Sequence, residues 1–119
     1  MKNTEALIQC EIVKYLQKTQ IFAFSIPNEA AGGNKIRQMQ MISMGLRSGV
    51  SDLEVWLPLP DNTDLIIYVE VKEPKKGKQS EKQRKFELRC IKTNKPYFIV
   101  FSVSDMQKIV ENHIRQNWF

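Results

Sequence analysis

Long apolar runs are missing from this chain of 119 residues. No stretch approaches the roughly 20 apolar residues that a membrane-spanning helix needs. The N-terminal segment mixes charged and polar side chains and lacks the apolar core of a signal peptide. A soluble, intracellular and therefore cytoplasmic protein is expected. Cysteine is scarce: Cys10 and Cys90 both fall inside predicted helices among apolar neighbours, which predicts buried, reduced thiols rather than a disulfide or a metal pair. Histidine is scarcer still. His113 stands in the last predicted helix, away from every motif, and is not a catalytic candidate. There is no internal repeat and no low-complexity tract. Acidic charge is in the minority, 13 Asp and Glu against 18 Lys and Arg, a net charge of +5 with a pI near 9.3. That balance points, weakly, to a polyanionic partner.

What is present suits a single domain spanning 1–119. Hydrophobic residues make up 42% and charged residues 26%, ordinary for a globular protein. Thr4 to Lys18 predicts a helix with Thr4 as cap and Glu5 in the first turn. Residues 5, 8, 9, 12, 13 and 16 share one stripe, so Glu5 points with Ile8, Ile12, Val13 and Leu16 while Glu11 falls on a polar side. Ile21 to Ile26 predicts a short strand ended by Pro27. Asn34 to Met44 predicts a helix stopped by Gly45. Its Met39 and Met41, with Met44, are expected as core filler. A strand then begins near Val50 and ends at Pro58 and Pro60, and Asp61-Asn62 turns the chain. Leu65 to Val71 is almost continuously apolar, as in a central strand.

Ser80 to Thr93 predicts the third helix, with Phe86, Leu88, Cys90 and Ile91 as its apolar contacts. Tyr97 to Val103 predicts a further strand, and Ser104 caps a last helix to about Gln116. The order is α-β-α-β-β-α-β-α, a mixed α/β domain with a sheet of about four strands flanked by helices. The third helix can cross over to a parallel fourth strand.

The chemistry concentrates on Gly49-Val50-Ser51-Asp52 and Glu70-Val71-Lys72. A tight turn between the two strands brings Asp52 and the Glu70–Lys72 pair to one end of a hairpin. A carboxylate near the end of a central strand must be paired, solvated in a cleft or bound to a cation. Mg²⁺ favours a few carboxylate oxygens, a neutral carbonyl and retained waters. Asp52, Glu70 and the backbone carbonyl of Val71 supply such a set. Strand alternation puts Glu70 and Lys72 on one face, where Lys72 orients an attacking water or neutralises phosphate charge. The alternative is a same-face Glu70–Lys72 ion pair with Asp52 as an ordinary acid at a strand start.

The ordered set resembles the PD-(D/E)XK nuclease superfamily, and more closely its VRR-NUC branch. The resemblance runs through Glu5 with Gln9, Pro27-Asn28-Glu29, Gly45-Leu46-Arg47, Gly49-Val50-Ser51-Asp52, Glu70-Val71-Lys72, Ser80 and Gln83, over roughly 4–103. Ser51 stands where the family usually has Pro. The resemblance implies a restriction-endonuclease-like fold and a phosphodiesterase acting on DNA. In it Asp52 and Glu70 bind Mg²⁺ or Mn²⁺, Lys72 positions the water, and Glu5 adds an acidic contact. Small standalone members, largely from phages and prophages, resemble homodimeric Holliday-junction resolvases. A flap- or single-strand-selective nuclease and a non-catalytic DNA-binding module are the alternatives.

Two candidates have competing structural readings. Glu5 also suits a helix N-terminus, worth about 0.3–1 kcal/mol. Ser80-x-x-Gln83 is also a capping box. Downstream of Lys72, the basic residues Lys75, Lys76, Lys78, Lys82, Arg84 and Lys85 lead into a helix N-terminus. Lys75, Lys76, Lys78 and Lys82 are the expected phosphate contacts, the alternative being a solvated face. Arg37 and Arg47 are placed in the same cleft by family position and local charge. Trp118-Phe119 is expected either to fold back on the core or to enter a dimer contact.

Overall fold

The computed structural model describes residues 4–27, 34–75, 77–114 and 118. Its elements follow the expected order: α1 (Thr4–Lys18), β1 (Phe22–Ser25), α2 (Lys35–Ser43), β2 (Leu53–Pro58), β3 (Asp64–Val71), α3 (Glu81–Lys92), β4 (Tyr97–Val100) and α4 (Val103–His113). The strands form one sheet in the order β1-β2-β3-β4. β1–β2 and β2–β3 are antiparallel, and β3–β4 is parallel across the α3 crossover. The β2–β3 turn closes through Leu59 N–H donating to the Thr63 carbonyl, with Asn62 at φ +67°.

Alternation along the strands sorts the molecule into two faces. Leu53, Val55, Leu57, Ile67, Val69 and Val71 point to a core shared with Ile12 and Leu16 of α1 and Met106 and Val110 of α4. Tyr68 and Tyr97 point the other way, where Phe86 of α3 meets both rings edge-on at 5.5 and 5.8 Å. Glu70 and Lys72 share that second face by alternation. The indole N–H of Trp118 donates to the Thr19 carbonyl at 2.7 Å, so Trp118 folds back on the core. Gln116 and Phe119 lie outside the described residues.

Helix ends follow from local chemistry. Asn34 caps α2, its side chain accepting from the Arg37 amide, and Gly45 follows the helix at φ +110°, where a side chain would be strained. Ser80 caps α3 with the full reciprocal box to Gln83. The last helix departs from expectation. Ser102, not Ser104, is its cap, accepting from the Asp105 amide at 3.2 Å, and the Phe101 amide donates back to Asp105 at 2.9 Å. That arrangement ends β4 at Val100, three residues before the expected strand end.

Three burial expectations also fail. Cys10 is exposed, whereas Cys90 is buried. Two positions from Ile12 is about 200° around a helix, so Cys10 faces away from the core stripe. No described residue of α2 is buried: Met39 is 67% and, just beyond the helix, Met44 86% exposed, so these methionines do not fill this chain's core. Leu88 and Ile91 of α3 are likewise exposed.

Candidate active site

The β2–β3 register pairs Leu53 with Val69, and one further step places Asp52 opposite Glu70. Asp52 lies in a bend just before β2 rather than inside the strand. Its backbone still belongs to the sheet, since the Ile26 amide donates to its carbonyl at 2.9 Å. Its carboxylate Oδ2 accepts the Val71 amide at 2.7 Å. This one bond ties the Asp52 bend to the end of β3. Ser51, fully buried, donates from Oγ to the Leu53 carbonyl at 3.3 Å. A side-chain bond thus supports the turn at the position where the resemblance leads one to expect Pro.

Glu70 is completely buried. Its Oε1 accepts a hydrogen bond from the Tyr97 hydroxyl. Its Oε2 has no hydrogen-bond partner and lies 3.7 Å from Lys72 Nζ. Burial pushes the Glu70 carboxyl above its usual range. The Tyr97 hydrogen bond and Lys72 pull it down, Asp52 pushes it up again, and Gln79 lowers it. Burial, and next the Glu70 carboxyl, hold the Tyr97 proton in place well above the usual phenol range.

Lys72 is 8% exposed, and its Nζ donates to Gln83 Oε1 at 3.0 Å. The same Oε1 accepts the Ser80 amide at 2.8 Å. Gln83 therefore acts as helix cap and lysine anchor together, and the two readings of its position do not compete. Tyr97 and Gln79 are the members that sequence reasoning missed. Gln79 Nε2 donates to the Tyr97 hydroxyl at 3.3 Å and to Glu87 at 3.0 Å. Only the parallel β3–β4 register, which pairs Tyr68 with Tyr97, brings that phenol beside Glu70. The one available signal was a hydroxyl at the head of an otherwise apolar strand.

Over residues 3–105 the sequence matches the family model of the VRR-NUC domain. The chain belongs to the VRR-NUC family. Membership carries a nuclease-type fold that processes DNA, in a family whose nucleases are generally dependent on divalent metal. Two solved structures share the architecture. One, described as a VRR-NUC domain, is 23% identical with a TM-score of 0.64, covering 92% of this chain and 97% of its own. The other, described as a VRR-NUC domain protein, is 12% identical with a TM-score of 0.68, covering 96% and 90%. No curated protein matches the chain.

Within this VRR-NUC domain, Asp52 lies opposite Glu70, and Lys72 lies beside Glu70 and bonds Gln83. Glu5 does not join them: no group of three acidic, His or Cys side chains suited to a metal occurs among the described residues. Glu5 opens α1, which packs on the opposite face of the sheet from Glu70. Asn28, Glu29 and Lys76 lie outside the described residues. Lys75, at φ +72°, and Lys78 are exposed on the loop between β3 and α3.

Arg47 and Lys82 line one cavity with Lys85 and Arg89, whereas Arg37, exposed on α2, does not line it. Gly49 closes one wall of that cavity. At φ +85° a Cβ there would overlap the Lys82 side chain and lie 2.9 Å from the Lys82 backbone carbon. Only glycine lets the loop leading to Asp52 sit this close to α3.

The donor set suits a hard divalent cation. Two carboxylates and a neighbouring backbone carbonyl are oxygen ligands of the type Mg²⁺ and Mn²⁺ take, and Glu70 Oε2 is a buried acceptor without a hydrogen bond. Asp52, Glu70 and the Val71 carbonyl are the residues that would hold the ion.

Proposed function

We propose that this chain is a divalent-metal-dependent DNA endonuclease selective for branched structures, of the Holliday-junction-resolvase type, acting as a homodimer. The observation that carries the reading is Glu70, fully buried with one oxygen held by Tyr97 and the other without a hydrogen bond. A carboxylate costs free energy in such a place unless a cation or proton compensates it. Asp52 opposite and Lys72 alongside make a cation-binding role the better account than an isolated ion pair, for Lys72 at 3.7 Å leaves that oxygen unsatisfied.

The chemistry that Mg²⁺ or Mn²⁺ supplies at such a site is neutralisation of phosphodiester charge and acidification of water. The chain's own residues do the rest. Tyr97 fixes the rotation of the Glu70 carboxylate. The Val71 amide fixes that of Asp52. Gln83 holds the Lys72 ammonium beside the acids, where it orients the attacking water and balances charge developing on the phosphate. Lys75, Lys76, Lys78, Lys82, Arg37 and Arg47 are phosphate contacts. Membership of the VRR-NUC family supports the resolvase comparison.

The test is incubation with labelled four-way junction, flap, single-stranded and duplex DNA, with and without Mg²⁺ or Mn²⁺. Metal-stimulated cleavage with preference for the junction is expected. Preference for the flap or the single strand replaces the resolvase reading, and tight binding without cleavage replaces the enzyme reading altogether.

A further inference from the structure

Basic side chains recur along one side of α3. Lys82, Lys85 and Arg89 stand at i, i+3 and i+7, a single helical stripe. Together with Arg47 they line a cavity of about 780 Å³ between α3 and the segment leading to Asp52. No acidic side chain is among the described residues that line it. Both walls are built to stay in place. Lys82 Nζ donates to Ser48 Oγ at 3.0 Å, and Gly49 seats the loop against the helix. Phe86, wedged between Tyr68 and Tyr97, forms an apolar part of the lining. The Glu81 carboxylate lies 3.7 Å from Lys85, but that pair is exposed on both sides and holds the ammonium only weakly.

The cavity is separate from the Asp52–Glu70 pair yet adjoins it through both walls. Gly49 lies three residues before Asp52, and Lys82 precedes Gln83, which holds Lys72. From Lys82 to Arg89 the stripe runs away from that site for about 10 Å at ~1.5 Å per residue. A nucleic-acid strand advances about 3.4 Å per nucleotide along a duplex axis, so the stripe matches about three nucleotides. A lone small anion would engage one or two of these cations, whereas a strand engages them in series.

We infer that this cavity is a track for successive phosphates of the DNA strand on one side of the scissile bond, read by Arg47, Lys82, Lys85 and Arg89. The inference rests on the nuclease reading and adds to it two cations, Lys85 and Arg89, and a direction. The footprint is asymmetric, extending from the metal site along α3.

The experiment measures binding of a fluorescein-labelled single-stranded oligonucleotide by anisotropy, in chelator so that nothing is cut, across about 50–200 mM salt. Lys85→Ala with Arg89→Ala is expected to lower the magnitude of the log–log salt slope by roughly 1.4, about 0.7 for each single-strand phosphate no longer neutralised. Lys14→Ala with Lys108→Ala removes the same charge from exposed positions of α1 and α4, across the sheet, and should leave the slope unchanged. Equal changes in the two pairs would mean a diffuse charge effect and overturn the track, as would no change in either. Wild-type cleavage with an unaltered slope in the Lys85/Arg89 pair defeats only this inference. Failure of the wild type to bind DNA at all defeats the nuclease reading with it.

Discussion

Glu70 occupies a strand position where Val or Ile would pack without electrostatic cost. Its carboxyl is held above the ordinary value of 4.5, chiefly by burial. The folded state therefore binds this proton more tightly than the unfolded chain does. Stability from this residue is greatest at low pH, where both states are protonated, and is lost as pH rises through the folded pKa. Glu70→Gln removes the loss. In chelator near neutral pH the variant should melt above wild type, by roughly 3–6 °C for each kcal/mol relieved. The difference should fade below about pH 4. Equal melting temperatures at neutral pH would show that Lys72 and Tyr97 already compensate the charge.

Tyr97→Phe probes the same carboxylate from its other oxygen. Partners that orient a metal-ligating group are typically worth about 10–100-fold in affinity. The Mn²⁺ concentration that half-saturates the thermal shift should rise by about that factor, and an unmoved midpoint would remove Tyr97 from the site. Asp52, Glu70 and Lys72 were legible because unusual residue types stood at the ends of apolar runs. Tyr97 was not, because an aromatic residue at the head of a strand looks like packing until the parallel register is known.

At the scale of elements, α3 carries two duties through one side chain. Gln83 Oε1 accepts from both Ser80 N–H and Lys72 Nζ. Ser80→Ala should cost about 1 kcal/mol in urea unfolding by loss of the cap. Gln83→Ala should cost a similar amount and, in addition, lower cleavage about 10-fold by freeing Lys72. If both variants lower cleavage equally, Gln83 acts only through the helix end. Caps with local sequence signatures, Asn34 and Ser80, could be read in advance. The start of α4 could not, because Ser102 and Ser104 both satisfy the cap chemistry and the choice rests on Asp105 bonding back to Phe101. Apolar period misled at α2 for another reason. It tells which residues share a face, not whether this chain supplies a surface to cover them.

That uncovered face belongs to the scale of the whole molecule. Ile36, Met39 and Ile42 of α2 and Met44 beside them are exposed, an unusual concentration of large apolar groups. A two-fold partner that covers them would set two metal sites against the two strands of a branched junction. Light scattering should return twice the 13.9 kDa chain mass, and Ile36→Asp with Met39→Asp should halve it. A monomer at working concentration would remove the dimer from the account. The overall order of elements and the parallel crossover were readable from the sequence, since helix, strand and turn signals alternate cleanly along it. The basic cavity was only half readable: Lys82 and Arg47 were anticipated, but the cavity itself exists only because Gly49 brings a distant loop against α3.

The most direct test of the metal-site claim is the single-turnover cleavage rate of folded Glu70→Gln on the preferred DNA, at saturating Mg²⁺ or Mn²⁺. A fall of at least about 10²–10³-fold relative to wild type is predicted, the scale on which one transition-state charge contact acts. Cleavage at the wild-type rate would contradict the assignment of Glu70, and with it the site.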